Sequence, residues 1–297
     1  MNSLFNDFPL LILLTLFASF SRCAGQVLPF KLYTTREGLL SNGVTTLFQD
    51  SFGYLWIGTT DGLSVYNGES FRNYTVVNGL ASSWVNCIIE DSKIRGEIWI
   101  ATLGGGVSRF FHGTFTNFAV GSNAWTNRVN SICQGEDGTV YCATEQGVFE
   151  LAGGKSSPLS PKLAARAFVQ IGCRGDSLFL LDDKGNLSIY NLLNGSVAGL
   201  TDLRIRRVGV SAFLLGSRNE LWLALMNGTI ENYYRDKVMP HATGEPANFL
   251  LEGRDDVLWV GTTDGLYDLD ERDPDNDKPQ QHLRQVEALS ILRRAYA

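Results

Sequence analysis

Two tryptophans stand out in this sequence because polar side chains surround them. Trp84 follows Ser82 and Ser83, and Trp125 lies between Asn123 and the pair Asn127–Arg128. Ser41 and Asn42 fall just before Val44, in a connection of the same kind. An indole face beside amide, hydroxyl and guanidinium groups is a mixture that stacks on a sugar ring while hydrogen-bonding its hydroxyls. Ser41, Asn42, Trp84, Trp125, Asn127 and Arg128 are therefore the candidate ligand-binding residues. The competing reading is that both tryptophans pack their own loops, which is the ordinary use of a large aromatic.

Other reactive side chains point less far. Asp61 and Asp264 both sit in Thr-Thr-Asp-Gly-Leu, where Asp before Gly is turn chemistry. No ladder of Asp and Asn of the calcium-loop kind surrounds them. His112, His241 and His282 lie in unrelated contexts, and no zinc spacing, phosphate loop or nucleophile–base set is present. The sequence thus predicts no catalytic residues, no metal and no cofactor. If Asp137-Gly138 forms a two-residue hairpin turn, Cys133 and Cys142 stand directly opposite each other and form a disulfide. Two buried free thiols are the alternative, and Cys87 and Cys173 read as core residues.

These residues hang on a repeat. Tyr54-Leu-Trp-Ile-Gly-Thr-Thr-Asp-Gly-Leu63 is nearly copied as Val257-Leu-Trp-Val-Gly-Thr-Thr-Asp-Gly-Leu266, with weaker versions between them. The large aromatic of each copy falls at Trp56, Trp99, Tyr141, Phe179, Trp222 and Trp259, steps of roughly forty residues, the period of a four-stranded propeller blade. In the first unit, Val44–Gln49, Tyr54–Thr59, Leu63–Tyr66 and Phe71–Thr75 read as strands, with Asn67-Gly68 as a hairpin turn. Blades are buried on both faces, which favours β-branched and aromatic residues, and the recurring aromatic fills the wedge between neighbours. The fold expected is all-β, a β-propeller of about six four-stranded blades or an incomplete seven-bladed ring.

In domain terms the sequence predicts an export signal over 1–25, the propeller over 26–280, and a tail over 281–297 that begins a truncated further blade. Pro9 to Phe20 is an apolar run followed by Cys23-Ala24-Gly25, although no basic residue precedes it. In the tail, Val286–Leu292 lines up with the first strand of the other units, a short amphipathic helix being the rival. Phe30–Thr34 resembles the last strand of each unit, so it is expected to supply the strand that closes a six-bladed ring. The net charge of −6, with no clustering of Lys and Arg, argues against nucleic acid as a partner.

The run Gly38-Leu-Leu-Ser-Asn-Gly-Val44, with Leu47-Phe-Gln-Asp50, Gly53, Leu55-Trp-Ile-Gly-Thr59 and Asp61-Gly-Leu63, resembles the two-component regulator propeller repeat. That repeat builds periplasmic sensor portions of hybrid histidine kinases, commonly of the Bacteroidetes. The resemblance covers most of residues 30–270, strongest in the first and sixth units. It implies a periplasmic or extracellular ligand-sensing propeller without catalysis of its own, a small-molecule or oligosaccharide ligand, and a partner that is a second copy or the rest of a receptor. Further blades, an immunoglobulin-like stalk, a membrane helix and a kinase are parts such receptors carry outside these 297 residues, so a receptor fragment is expected. The alternatives are a secreted propeller lyase or glycosidase, which needs convergent carboxylates, His, Tyr or Arg at the axis, and a non-signalling scaffold or adhesion propeller.

Overall fold

A computed structural model describes residues 31–199, 209–234, 237–253, 257–270 and 284–285. The export-signal segment and positions 286–297 of the tail lie outside the described residues. Among the described residues, no helix is long and apolar enough to cross a membrane.

The chain is an all-β propeller of six four-stranded antiparallel blades, each built from four consecutive strands paired in chain order. The inner strands are Val44–Gln49, Val85–Glu90, Val129–Gln134, Phe168–Arg174, Val210–Leu215 and Ala247–Glu252. Blade 1 continues through Leu55–Thr59 and Leu63–Tyr66 to its outer strand Phe71–Tyr74, much as the spacing predicts. Connections between blades are also repeated. Thr34 and Thr75 each cap a 3-10 turn, which ends at Gly38 and Gly79 with φ near 105° and 104°. Those left-handed positions strain any residue with a Cβ, which is why glycine recurs there.

In blades 1 to 5 the aromatic of the second strand leans onto the next blade. Trp56 clusters with Val85, Ile88, Ile98 and Ile100 of blade 2, and Trp99 with Val129, Ile132, Val140 and Cys142 of blade 3. Tyr141, Phe179 and Trp222 repeat the pattern into blades 4, 5 and 6. Truncating one buried aromatic of this kind costs on the order of 3–5 kcal/mol, so these wedges carry much of the fold's stability.

One feature of the inner strand sets up the axis. In all six blades the register slips by one residue near its start, a β-bulge at Thr45, Asn86, Asn130, Val169, Ser211 and Asn248. A bulged residue has no cross-strand partner, so its side chain is re-aimed out of the sheet. Asn86 donates through Nδ2 to the Val129 carbonyl at 2.9 Å, and Asn130 to the Phe168 carbonyl at 2.9 Å. Thr45 donates likewise to Val85 O, and Ser211 to Ala247 O. Val169 has no donor, and there Gln170 Nε2 reaches Phe213 O at 2.7 Å.

Three expectations are corrected. Cys133 does not bond to Cys142. Gln134 pairs with Val140, so the hairpin connection is five residues rather than two, and Cys133 stands opposite Tyr141 while Cys142 stands opposite Ile132. Cys133 is bonded instead to Cys173 on the inner strand of blade 4, with Cα atoms 5.9 Å apart. Cys173 is therefore no inert core residue, while Cys142 is a buried free thiol whose pKa burial pushes up to about 12. Second, the residues before the first blade do not close the ring. The outer strand of blade 6 is Arg284–Gln285, and residues 31–34 form no strand. Tyr33 packs on Tyr66 and Phe71 with centroids 5.1 and 5.6 Å away, just as Tyr74 packs on Phe110 and Phe115 of blade 2. The likeness to Phe71–Thr75 thus holds in that ring contact and not in strand pairing. Third, blade 4 starts one residue later than the repeat spacing places it, at Phe168, because Gly175-Asp176 makes a shorter hairpin between Arg174 and Ser177.

Candidate functional site

The candidate residues gather at the rim where each inner strand begins. There the residue before the inner strand offers its carbonyl to the amide just after the second strand. The pairs are Gly43 O with Thr60 N, Trp84 O with Leu103 N, Arg128 O with Glu145 N, Ala167 O with Asp183 N, and Gly209 O with Met226 N. Trp84 and Arg128 thus occupy one structural position in consecutive blades, and Leu103 also bridges to Arg128. The two are tied into the same stretch of rim.

Trp125 stands beside them. It is 58% exposed and Trp84 is 43% exposed. The Arg128 guanidinium carbon lies 5.7 Å from the Trp125 ring centroid, and Arg128 Nε lies 2.9 Å from Glu145 Oε1. A guanidinium held between an indole face and a carboxylate is fixed in orientation, and the indole keeps a face to solvent. That arrangement can stack on a flat or ring-shaped solute while charged and polar groups take its hydroxyls.

Not every predicted residue is free to bind. Asn127 is spent on its own loop: Oδ1 accepts from Val120 N at 2.8 Å, and Nδ2 donates to the carbonyls of Gly121 and Asn123 at 3.2 and 2.9 Å. Its role is to shape the connection that presents Trp125. Ser41 and Asn42 occupy the equivalent corner of blade 1. There Ser41 Oγ accepts from Gly43 N at 3.3 Å and Asn42 Oδ1 accepts from Thr35 N at 3.1 Å. No described contact joins them to the tryptophan and arginine group. Asp61 and Asp264 are turn residues, each donating its amide to the hydroxyl of the threonine two residues earlier, Thr59 and Thr262. Among the described residues there is no cluster of three or more His, Cys, Asp or Glu suited to a metal.

The rim leads into a cavity of about 500 Å³ lined by Thr45, Asn86, Asn130, Glu145, Ala167, Val169 and Asp183. Four of these are bulge residues, and the others are rim residues. A second cavity, of about 310 Å³, lies beside the Trp125 turn among Asn123, Thr126, Gln146, Phe149 and Ser160. Asn123 Nδ2 donates to Gln146 Oε1 at 3.0 Å there. Two carboxylates and two amides along the first cavity favour neutral polyhydroxylated or cationic solutes over anions.

Sequence reasoning missed this axial lining, yet a signal was present. In five blades two buried apolar residues of the inner strand that pack toward the preceding blade are spaced by three: Val85 and Ile88, Val129 and Ile132, Phe168 and Ile171, Val210 and Phe213, Ala247 and Leu250. A strand keeps one face every second residue, so a spacing of three announces the bulge and names the residue it turns inward.

Comparisons with known proteins agree with this fold. The two component regulator propeller family matches residues 38–61, which is the connection and first two strands of blade 1. A stretch of 45 residues is 42% identical to a histidine kinase of Formosa agariphila, covering 15% of this chain and 3% of that protein. Among solved structures, the extracellular domain of a hybrid two component system from B. thetaiotaomicron is similar with a TM-score of 0.66 at 21% identity, over 81% of this chain and 35% of that one. Virginiamycin B lyase from Staphylococcus aureus is similar with a TM-score of 0.65 at 13% identity, over 77% of this chain and 81% of the enzyme. The fold is thus a β-propeller shared with the extracellular domain of a two component system and with a lyase. The repeat at residues 38–61 is a two component regulator propeller repeat. The chain spans about a third of the length of the B. thetaiotaomicron ectodomain.

Proposed function

We propose that this chain is the extracytoplasmic ligand-sensing propeller of a two-component receptor. It has no catalytic step of its own, and its ligand is a glycan or a similar ring-bearing polyol held at the axial rim. The observation that carries the reading is Trp125, an exposed indole braced by the Arg128–Glu145 ion pair beside a polar axial cavity. The propeller repeat supplies the link to two-component signalling, and the relatives that share the fold include the extracellular domain of such a system. Binding would favour one arrangement of the rim, and that preference would be passed to whatever the propeller is joined to.

The test is a thermal-unfolding screen against a glycan panel. A true ligand raises the midpoint with the logarithm of its concentration above Kd. Trp125→Ala is expected to abolish that rise while leaving the unliganded midpoint in place. A ligand that stabilises the Trp125→Ala and Trp84→Ala proteins as well as the parent would remove the rim from consideration.

A further inference from the structure

Blade 3 is entered by a connection unlike its neighbours. The connections before blades 1, 2 and 4 each contain a 3-10 turn, at Thr35–Glu37, Val76–Asn78 and Pro161–Leu163. Before blade 3 the chain folds instead around Asn123, whose Oδ1 accepts from the amides of Trp125 and Thr126 at 2.9 and 3.0 Å. Asn123 Nδ2 then donates at 3.0 Å to Oε1 of Gln146, in the turn between the second and third strands of the blade. Asn123 and Gln146 both line the second cavity, of about 310 Å³, so the turn that presents Trp125 is part of its wall.

The two cavities differ in chemistry. Glu145 and Asp183 line the axial one, whereas among the described residues no charged side chain lines the outer one. Val148, Phe149, Pro158, Ala164 and Ala165 give the outer cavity an apolar wall. Its polar groups are donors short of an acceptor. Asn123 Oδ1 is taken by two backbone amides, so its nitrogen must face Gln146, and Gln146 must answer with its oxygen. That leaves Gln146 Nε2 with no hydrogen-bond partner among the described residues. Ser160, also in the lining, is only 9% exposed. Its Oγ accepts from Lys162 N at 3.3 Å but donates to no described group. A donor shielded from water and lacking an acceptor costs stability, which an arriving acceptor restores.

We infer that this outer cavity is a second subsite of the rim and takes the acetamido group of an N-acetylhexosamine unit. The inference rests on the reading of the rim as a glycan site and names the class of sugar that site selects. An amide carbonyl is a strong acceptor for Gln146 Nε2 and Ser160 Oγ, and the acetyl methyl meets Val148, Pro158 and Ala164. A volume at the lower end of the roughly 300–1,000 Å³ of small-molecule sites suits one sugar unit with its substituent. Glu145 and Gln146 are consecutive residues of one turn and line the two cavities respectively, so the next unit of the chain falls to the axial side. A sugar without the acyl group leaves both donors unpaired and is rejected for that reason.

Saturation-transfer NMR on the 297-residue chain tests this with N-acetylglucosamine, N-acetylgalactosamine and N-acetylmannosamine against glucose, galactose and mannose. At least one N-acetyl sugar should bind about tenfold more tightly than its parent hexose, with the acetyl methyl receiving the most saturation. Gln146→Glu keeps the oxygen that Asn123 holds but removes the free donor, and should erase that preference. Ala164 is exposed, with ordinary backbone angles of φ −63° and ψ 150°, so Ala164→Trp fills the cavity and should remove the methyl signal. Neither substitution should alter binding of the hexoses, whereas Trp125→Ala should weaken both kinds of sugar. Equal affinity for the two kinds, or a preference that survives both cavity substitutions, overturns the acetamido subsite and leaves the rim reading standing. Binding of neither kind removes the subsite and the rim reading together.

Discussion

Tyr54–Leu63 and Val257–Leu266 are almost the same ten residues, yet they do unequal work. Trp56 is buried between two blades, and its indole Nε1 donates to Asp50 Oδ2 at 2.8 Å. Asp50 also accepts from the amides of Phe52 and Tyr54, both at 2.9 Å. Trp259 is only half-buried, and the residue equivalent to Asp50 is Gly253, which has no side chain to offer. The difference lies in the neighbours: blade 2 covers Trp56, and the side of blade 6 that bears Phe249 and Leu251 is open. A repeat specifies a blade, while the blade beside it decides what each residue is worth.

The largest expected effect breaks that contrast directly. Trp56→Ala should destabilise by about 3–5 kcal/mol in urea unfolding, and Trp259→Ala by about 1 kcal/mol or less, because the first leaves a cavity and the second mainly alters a surface. Equal losses would mean that blade 6 is covered after all. Next comes the covalent tie between blades 3 and 4. Cys133→Ser should cost about 2–4 kcal/mol through loop entropy, and a reducing agent should lower the parent by a similar amount while leaving this variant unmoved.

Asp50→Ala should follow at about 1–3 kcal/mol, since two backbone amides and an indole lose their acceptor. A double-mutant cycle with Trp56→Phe should show coupling, and additive losses would deny the indole bond any part in the contrast. The smallest effect is one of pH. Burial pushes the Asp91 carboxyl up, but hydrogen bonds from the Trp99 indole, the Lys93 amide, Gln134 and the Ile94 amide outweigh it and hold the pKa below the usual range. A depressed folded-state pKa means stability that is present above the unfolded pKa and lost as pH falls through the folded one. The gap between the parent and Asp91→Asn should therefore be full at pH 7 and shrink below about pH 4. A gap that stays constant to pH 3 would show that Asp91 acts only as a neutral acceptor.

The blade was legible in the sequence because its determinants are local. Asn67-Gly68, the aromatic of each second strand and the Thr-Thr-Asp-Gly turn act within a few residues of themselves, so pattern alone reveals them. Contacts between blades were less legible. The Cys133–Cys173 bond joins two units whose relative height depends on hairpin length, and a five-residue connection where two were expected is enough to redirect it. At the rim, Trp84, Trp125 and Arg128 were singled out by residue type, as aromatic and cationic side chains beside polar ones, and whether they bind a ligand is the proposal made above. Glu145 and Asp183 were missed because each looks like an ordinary turn residue until the axis brings it next to its neighbours. Asn127 sits where its residue type suggests but serves the loop instead of a ligand, because its amide is fully engaged there and leaves nothing to spare.

The bulge near the start of every inner strand separates two things that sheets usually bind together. In a regular ladder, changing a residue alters its cross-strand pair. A residue in the bulge has no such pair, and the molecule already carries Thr, Asn, Val and Ser there while the register of each blade stays intact. The axial lining is thus a set of slots whose contents can diverge one at a time, so chains of this architecture can change what the axis presents without relearning how to fold.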